Sequence, residues 1–464
     1  MRREIANERR QNVSKIFVVT TKVAAVLPAA PPRDIWDRVL IASIFAGMLA
    51  LAYTAFATTL LEPLFAIAGT DDWHHLWLRP TVIWVSMGML LLLMRTLLWL
   101  GYRPLPVATP GEAPALTVII PAYNEGKMVE HAIAAVAAAD YPRARLEILA
   151  IDDGSTDDTW RYVQRAARRF PGLVTAIRLT ENRGKRGALA EGFRRARGEL
   201  VVTIDSDSII ERSTLLAMAG PFRDPRVGAV AGKVAVHNRN AGLIPRMLHV
   251  RFILSFDFLR SAQSMFRTVY CCPGALSAYR LELVRTVLET WQGQTFLGVP
   301  CTYGEDRALT NLVLGAGYDT VYQRAAVVHT VVPESYGKLC RMYLRWDRSY
   351  IREEFRFARL VWRRPLVWRA LAIYETAVTN LRFPIAYLSI GLWVVHAIQD
   401  PGSIVRMLLA IMVVSTLYAL YYLRSERSWD FAYGILYGYF SFFCLTWIFP
   451  YAVLTIRARG WLTR

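Results

Sequence analysis

Leu200-Val-Val-Thr-Ile-Asp205-Ser-Asp207 is the stretch whose reading decides the fold. A short uncharged run rich in β-branched residues reads as a buried strand, and two carboxylates two residues apart close it. The same form occurs upstream. Leu116-Thr-Val-Ile-Ile is closed by Pro121, and Leu146-Glu-Ile-Leu-Ala-Ile runs into Asp152-Asp153-Gly154-Ser155. Val174 to Leu179 is a further strand. Glu125 to Ala139, a segment starting near Asp157, and Gly187 to Ala196 read as the intervening helices. Such alternation implies a largely parallel sheet with helices on both faces. Ligands bind such sheets beyond the carboxyl ends of the strands, so Asp152-Asp153 and Asp205-Ser-Asp207 should converge on one crevice. No GxGxxG follows the first strand and no GxxxxGK[ST] occurs, which speaks against a dinucleotide fold and a P-loop.

This α/β insert lies between apolar stretches. The chain has 464 residues, 54% of them hydrophobic. Val39 to Leu61 and Thr81 to Leu100 precede the insert, and Phe383 to Ile398, Met407 to Leu423 and Phe431 to Ile456 follow it. A helix crosses a bilayer in about 20 residues, so two spans before and about three after are expected. Residues 1–38 carry eight Lys/Arg, whereas Glu62 to Arg79 has one Arg against Glu62, Asp71 and Asp72. The positive-inside rule then places the N-terminus and the insert in the cytoplasm. Three full crossings after the insert would put Arg457, Arg459 and Arg464 outside, against the rule, so the C-terminal topology stays open. The first apolar segment follows a long polar stretch and is not a cleavable signal peptide.

The net charge of +18 serves membrane orientation, anionic lipid and a diphosphate substrate. No nucleic-acid reader motif accompanies it. The five cysteines show no CxxC and the seven histidines no zinc spacing.

Several motifs could carry chemistry, each with a plainer alternative. Asp205 and Asp207 could hold a hard divalent cation, which takes oxygen ligands and completes its shell with substrate phosphate; the alternative is a solvated turn. Asp152-Asp153-Gly154-Ser155 could bind a base or ribose, or be a turn with a helix cap. Pro121-Ala-Tyr123-Asn124-Glu125 leaves the same choice. Lys185, in Asn182-Arg-Gly-Lys-Arg-Gly187, could meet a diphosphate or lie in an exposed basic loop. Glu305 and Asp306 open a helix, where a carboxylate caps or, in a cleft, acts as a general base. Arg345-Trp346 pairs a guanidinium for phosphate with an indole on which a sugar stacks. Its alternative is an interfacial basic-aromatic helix, a description that also suits Ile351 to Tyr374.

With these motifs in order, the chain resembles the membrane-bound family 2 glycosyltransferases. Tyr303-Gly-Glu-Asp-Arg-Ala-Leu-Thr-Asn311 and Arg345-Trp-Asp-Arg-Ser-Tyr-Ile-Arg352 look like hyaluronan synthase, and His329-Thr-Val-Val-Pro-Glu-Ser335 is similar to chitooligosaccharide synthases. The resemblance implies a GT-A-type α/β nucleotide-sugar transferase domain at 102–350. A basic cytoplasmic segment (1–38) and two transmembrane helices (39–101) would precede it. Interfacial amphipathic helices (351–380) and C-terminal transmembrane helices (381–464) would follow. It also implies a plasma-membrane location, a UDP-sugar donor, a growing glycan acceptor, Mg²⁺ or Mn²⁺, and inversion at the anomeric carbon. A homo-oligomer or an accessory export protein is a further partner class. By the same resemblance Tyr123, Glu125, Asp152 and Asp153 contact the nucleotide, Lys185 the diphosphate, and Asp205 with Asp207 the metal. Glu305 lies beside the base Asp306, Arg345 neutralises the leaving group, and Trp346 marks the acceptor. The family's last motif is Gln-x-x-Arg-Trp, and this chain has Met342 at its first position. That departure bears on processivity and on the acceptor.

Overall fold

The computed structural model describes residues 80–458, together with 38, 39, 42, 43, 45–50 and 53. Thirteen of the 23 residues of the Val39–Leu61 stretch, nearly all of the basic N-terminus and the acidic loop before residue 80 lie outside the described residues. The insert is built on ten strands: β1 Leu116–Ala122, β2 Leu146–Asp152, β3 Val174–Arg178, β4 Leu200–Ile204, β5 Ser208–Ile210, β6 Val227–Val236, β7 Leu276–Arg280, β8 Thr295–Phe296, β9 Val299–Pro300 and β10 Asp319–Thr330. Eight form one sheet in the order β3-β2-β1-β4-β7-β6-β10-β5, and β8 with β9 makes a separate hairpin.

The first half of the sheet is parallel, as the alternating pattern predicts. Its side chains divide with period two. Val118, Ile120, Ile148, Ala150, Val202 and Ile204 pack on one face, with Val129, Ile133 and Val136 of the Met128–Ala137 helix. Ile119, Leu149, Ile151 and Val201 pack on the other, with Ala188, Leu189 and Phe193 of the Gly184–Arg195 helix. Both faces are dry, which is why these strands read as unbroken apolar runs. The second half departs from the simple alternation. β7 runs antiparallel to both β4 and β6, and β5 antiparallel to β10.

Pairing Ala122 with Asp152, and Ile119 with Thr203, aligns the carboxyl ends of β1, β2 and β4. Asp153 and Asp205 therefore leave the sheet along one edge.

Among the described residues, three helices are long and apolar enough to cross a membrane: Ile83–Gly101, Leu366–Gln399 and Gly402–Glu426. They mark a membrane protein. Helix Leu366–Gln399 is continuous, so the boundary expected at residue 380 falls inside one element. Helix Tyr336–Leu360 and the short turn Val361–Arg363 precede it, and Phe355, Trp362, Leu366 and Val367 are all exposed there.

The last apolar stretch is bent by 42° between Phe431–Leu445 and Ile448–Leu454. Just before it, Glu426 pairs with Lys233 of the insert at 3.0 Å. Just after it, Arg348 donates to Thr455 Oγ1 at 2.7 Å and Tyr303 Oη to the Ala458 carbonyl at 2.9 Å. Both ends touch the insert. Arg457 thus lies next to a residue that touches the insert, while Arg459 and Arg464 lie outside the described residues.

Candidate active site

The carboxyl edge of the sheet borders a cavity of about 1450 Å³. It is lined by Tyr123, Glu125, Asp153, Lys185, Asp205, Asp207, Glu305, Asp306, Arg345 and Trp346, so ten of the expected residues meet there. Asp152 does not. It is fully buried beneath the loop, its Oδ1 accepting from the Ser155 amide at 3.1 Å and its Oδ2 facing Arg178 Nε at 3.2 Å. Being the last residue of β2, it points opposite to Asp153, as period two requires. Asp152 thus braces the loop, and of the pair only Asp153 lines the cavity. Asn124 is also a brace: its Oδ1 accepts from the Thr156 amide at 2.9 Å.

Asp153 accepts from the Arg183 amide at 2.9 Å, and burial lifts its carboxyl to about 6. Lys185, from the turn that starts the next helix, reaches Asp205 and lies 3.2 Å from Glu305 Oε1. Burial opposes its charge, yet these two carboxylates outweigh that and hold the ammonium above its usual range. The reach depends on Gly274, where a Cβ would lie 2.6 Å from Lys185 Nζ.

Asp207 accepts from Ser208 Oγ at 3.2 Å and from Thr330 Oγ1 at 3.4 Å. Burial first, then Asp205 and Glu125, push its carboxyl up to about 7. Lys185 pulls the other way but does not offset burial and the neighbouring negative charge. Among the described residues no group of three or more His, Cys, Asp or Glu is arranged to hold a metal ion. Two carboxylates with open coordination suit a hard divalent ion that takes its other ligands from phosphate and water. His329 is not a third ligand, for its Nε2 faces Glu211 at 3.1 Å.

Glu305 and Asp306 form the first turn of the Glu305–Gly315 helix, where the helix dipole favours anions. The preceding Gly304 has φ +77, and a Cβ there would strike Ser349 Oγ at 1.8 Å, so only glycine fits this approach. Asp306 Oδ1 accepts from the Arg307 amide at 2.7 Å, and Oδ2 accepts from the Gly274 amide at 3.2 Å and the Cys271 thiol at 3.6 Å. Burial and then Glu305 raise the Asp306 carboxyl. A base with an elevated proton affinity is what proton abstraction near neutral pH requires.

The Trp346 ring, 37% exposed, sits edge-on to Tyr343 at 5.7 Å and tilted against Phe252 at 6.1 Å. The indole is thus fixed with one surface open to the cavity. Met342 lines the same void, so the departure from the family motif is at the site itself.

The helix bearing Asp306 is tied to an apolar helix. Arg307 pairs with Glu354, whose other oxygen accepts from Asn380 Nδ2 at 2.7 Å. Arg95 and Glu375, from two apolar helices, pair at 2.8 Å, and Tyr270 Oη donates to Glu375 at 3.2 Å.

A family model described as "Glycosyl transferase family 2" matches residues 117–288. An N-acetylglucosaminyltransferase of Azorhizobium caulinodans is 31% identical over 352 residues, 76% of this chain and 87% of that protein. This chain belongs to glycosyl transferase family 2. A hyaluronan synthase of Streptococcus pyogenes is also 31% identical, over 75% of this chain and 83% of its own length. Among solved structures, a mannosyltransferase of Pyrobaculum calidifontis, in complex with GDP-Man and Mn²⁺, superposes with a TM-score of 0.56. It covers 77% of this chain and 97% of its own at 24% identity. The insert of this family 2 enzyme is thus a GT-A-like fold, and the protein is a glycosyltransferase.

Sequence reasoning about this transferase missed Gly274 and Cys271, which lie just before β7. The signal would have been Pro273-Gly274-Ala275 leading into Leu276-Ser-Ala-Tyr, a turn before a strand.

Proposed function

We propose that the protein is a processive inverting synthase. It transfers N-acetylglucosamine, with or without glucuronate, from UDP-sugars to a growing β-linked glycan and passes that glycan across its own membrane. One observation carries the reading. The void that holds Lys185, Asp205 and Asp306 continues past Trp346 to Arg95, Thr379 and Phe383 of the apolar helices. A cavity of about 1450 Å³ exceeds the roughly 300–1,000 Å³ that suits one small ligand. It has room for donor and acceptor together. The names of the relatives support the sugar, and the eight Lys/Arg of residues 1–38 support a cytoplasmic catalytic domain.

In this reading Asp153 and Tyr123 take the nucleoside. Lys185 and Arg345 face the diphosphate and neutralise the charge that develops as the sugar–phosphate bond breaks. Asp205 and Asp207 would hold a Mg²⁺ or Mn²⁺, which when bound would supply further positive charge at the diphosphate. Asp306 takes the proton of the acceptor hydroxyl as that oxygen attacks the anomeric carbon from the face opposite the diphosphate. The Gly274 and Arg307 amides and the Cys271 thiol hold both carboxylate oxygens in place. Such a positioned base contributes about 10²–10⁴-fold. Trp346 stacks under the terminal acceptor sugar.

Met342 favours a second reading, a transferase adding one sugar to a lipid carrier or a short acceptor, because the thioether cannot supply the amide contact of the family motif. Sizing the product settles between them. Purified protein with UDP-N-acetylglucosamine, alone and with UDP-glucuronate, should yield a ladder or high-mass glycan. A single added sugar under every donor condition would reject processivity.

A further inference from the structure

The far limb of the cavity carries a second charged cluster that the transfer step does not use. Arg251, Asp347 and Arg382 all line it, beside Tyr343 and Tyr350. Arg382 is part of the apolar helix Leu366–Gln399. An ionisable side chain on such a helix is costly unless it meets a partner or a water-filled path, and by default it marks a functional site. Among the described residues Arg382 forms no hydrogen bond and no ion pair within 4.0 Å; its contact is the Phe383 ring, 4.9 Å from the guanidinium carbon. Arg95, which faces it, is neutralised by Glu375 at 2.8 Å. Arg251 donates to Ser255 Oγ, a neutral partner.

The acid of the cluster is Asp347. It makes no ion pair within 4.0 Å to a described residue, although both arginines act on it. Burial pushes its carboxyl up to about 7, against the opposing pull of Arg382 and Arg251. The limb is therefore cationic around neutral pH: two guanidiniums stand against at most one carboxylate.

We propose that this limb is an anion subsite that takes a carboxylate carried by the acceptor glycan, held between Arg251 and Arg382. The proposal rests on the transferase reading above and names the acceptor class it left open, an acidic glycan in place of a neutral one. The limb is continuous with the base, so its occupant is the molecule whose hydroxyl Asp306 deprotonates. The open Trp346 ring lies in the same void and offers that molecule a sugar-stacking surface, which points to a glycan and not to a bare lipid phosphate. Guanidinium forks match a carboxylate in two parallel hydrogen bonds.

The test uses the full chain in lipid nanodiscs with UDP-N-acetylglucosamine and three acceptors: a neutral N-acetylglucosamine tetramer, an alternating tetramer ending in glucuronate, and undecaprenyl phosphate. Charge-assisted hydrogen bonds of this kind correspond to roughly 10–100-fold in affinity, so the acidic tetramer should have an apparent KM lower than the neutral one by about that factor. The gap should close in Arg382→Gln and in Arg251→Gln and reopen in part in Arg382→Lys. Mn²⁺-dependent UDP affinity, which reports folding of each variant, should stay unchanged. Equal use of neutral and acidic tetramers, an acidic preference surviving in both Gln variants, or a preference for undecaprenyl phosphate alone would overturn the proposal. Absence of UDP binding in the unmodified protein would instead sink the transferase reading, and the proposal with it.

Discussion

Adding one methyl group at Gly274 should move a charge without removing any. The new Cβ would lie 2.6 Å from Lys185 Nζ, where ordinary contact begins at 3.4 Å, so the ammonium must retreat by about 0.8 Å (3.4 minus 2.6). It stands 3.2 Å from Glu305 Oε1, and that retreat forfeits one of its two carboxylate contacts. Losing a charge-assisted hydrogen bond costs roughly 1.5–3 kcal/mol, or about 10–100-fold in rate when the group acts on the transition state. The clash falls on the end of a flexible side chain, so thermal stability should barely move. UDP release by purified Gly274→Ala measures the loss. Lys185→Ala and the double variant show its route, since a change acting through Lys185 adds nothing once that side chain is gone. Full activity in Gly274→Ala, or a loss that adds to that of Lys185→Ala, would refute the reasoning.

Asp207→Asn should abolish the Mn²⁺-dependent part of UDP affinity, measured by titration calorimetry with and without chelator; retained dependence would remove the cation from this pair. Met342→Gln should preserve or raise turnover if the position keeps its family role, with product length read on gels; complete loss would mean the local geometry differs. Asp153 has a carboxyl raised to about 6 in the fold against an ordinary value of 3.8. Its charged form therefore destabilises the fold above pH 6, and the burden lifts as pH falls from 6 towards 4. Asp153→Asn should raise the Tm at pH 8, by at most about 3 kcal/mol of stability, and lose that gain near pH 4, while UDP affinity falls. An unchanged Tm at pH 8 would contradict the assigned burial.

Much of this was legible in the sequence where local pattern and structure coincide. β1, β2 and β4 are buried on both faces, so their apolar runs stand out, and the observed bounds of β1 to β4 match the expected ones to within a residue or two. Asp153, Asp205 and Asp207 follow those strands and converge because parallel strands end on one edge. β5, β6, β7 and β10 were not legible. β6 contains Gly228 and Gly232, and β10 contains Asp319, Gln323 and Arg324, so neither shows an unbroken apolar or alternating pattern. With β7 unread, the turn at Gly274 had no place in the site. Asp152 and Asp153 could not be told apart by composition, since one residue of offset decides which side of the strand each faces. The arginines of the far limb are brought together by Leu243–Ile253 and Leu366–Gln399, whose tertiary pairing no local pattern reports.

The most direct test is Asp306→Asn, which keeps the shape, removes the basic oxygen and leaves one of the two acceptor positions to an amide NH2 that cannot accept. Sugar transfer should fall by about 10²–10⁴-fold while UDP and Mn²⁺ bind as before. Transfer at the unmodified rate would contradict Asp306 as the base, and loss of UDP binding alongside transfer would show that the residue holds the pocket together.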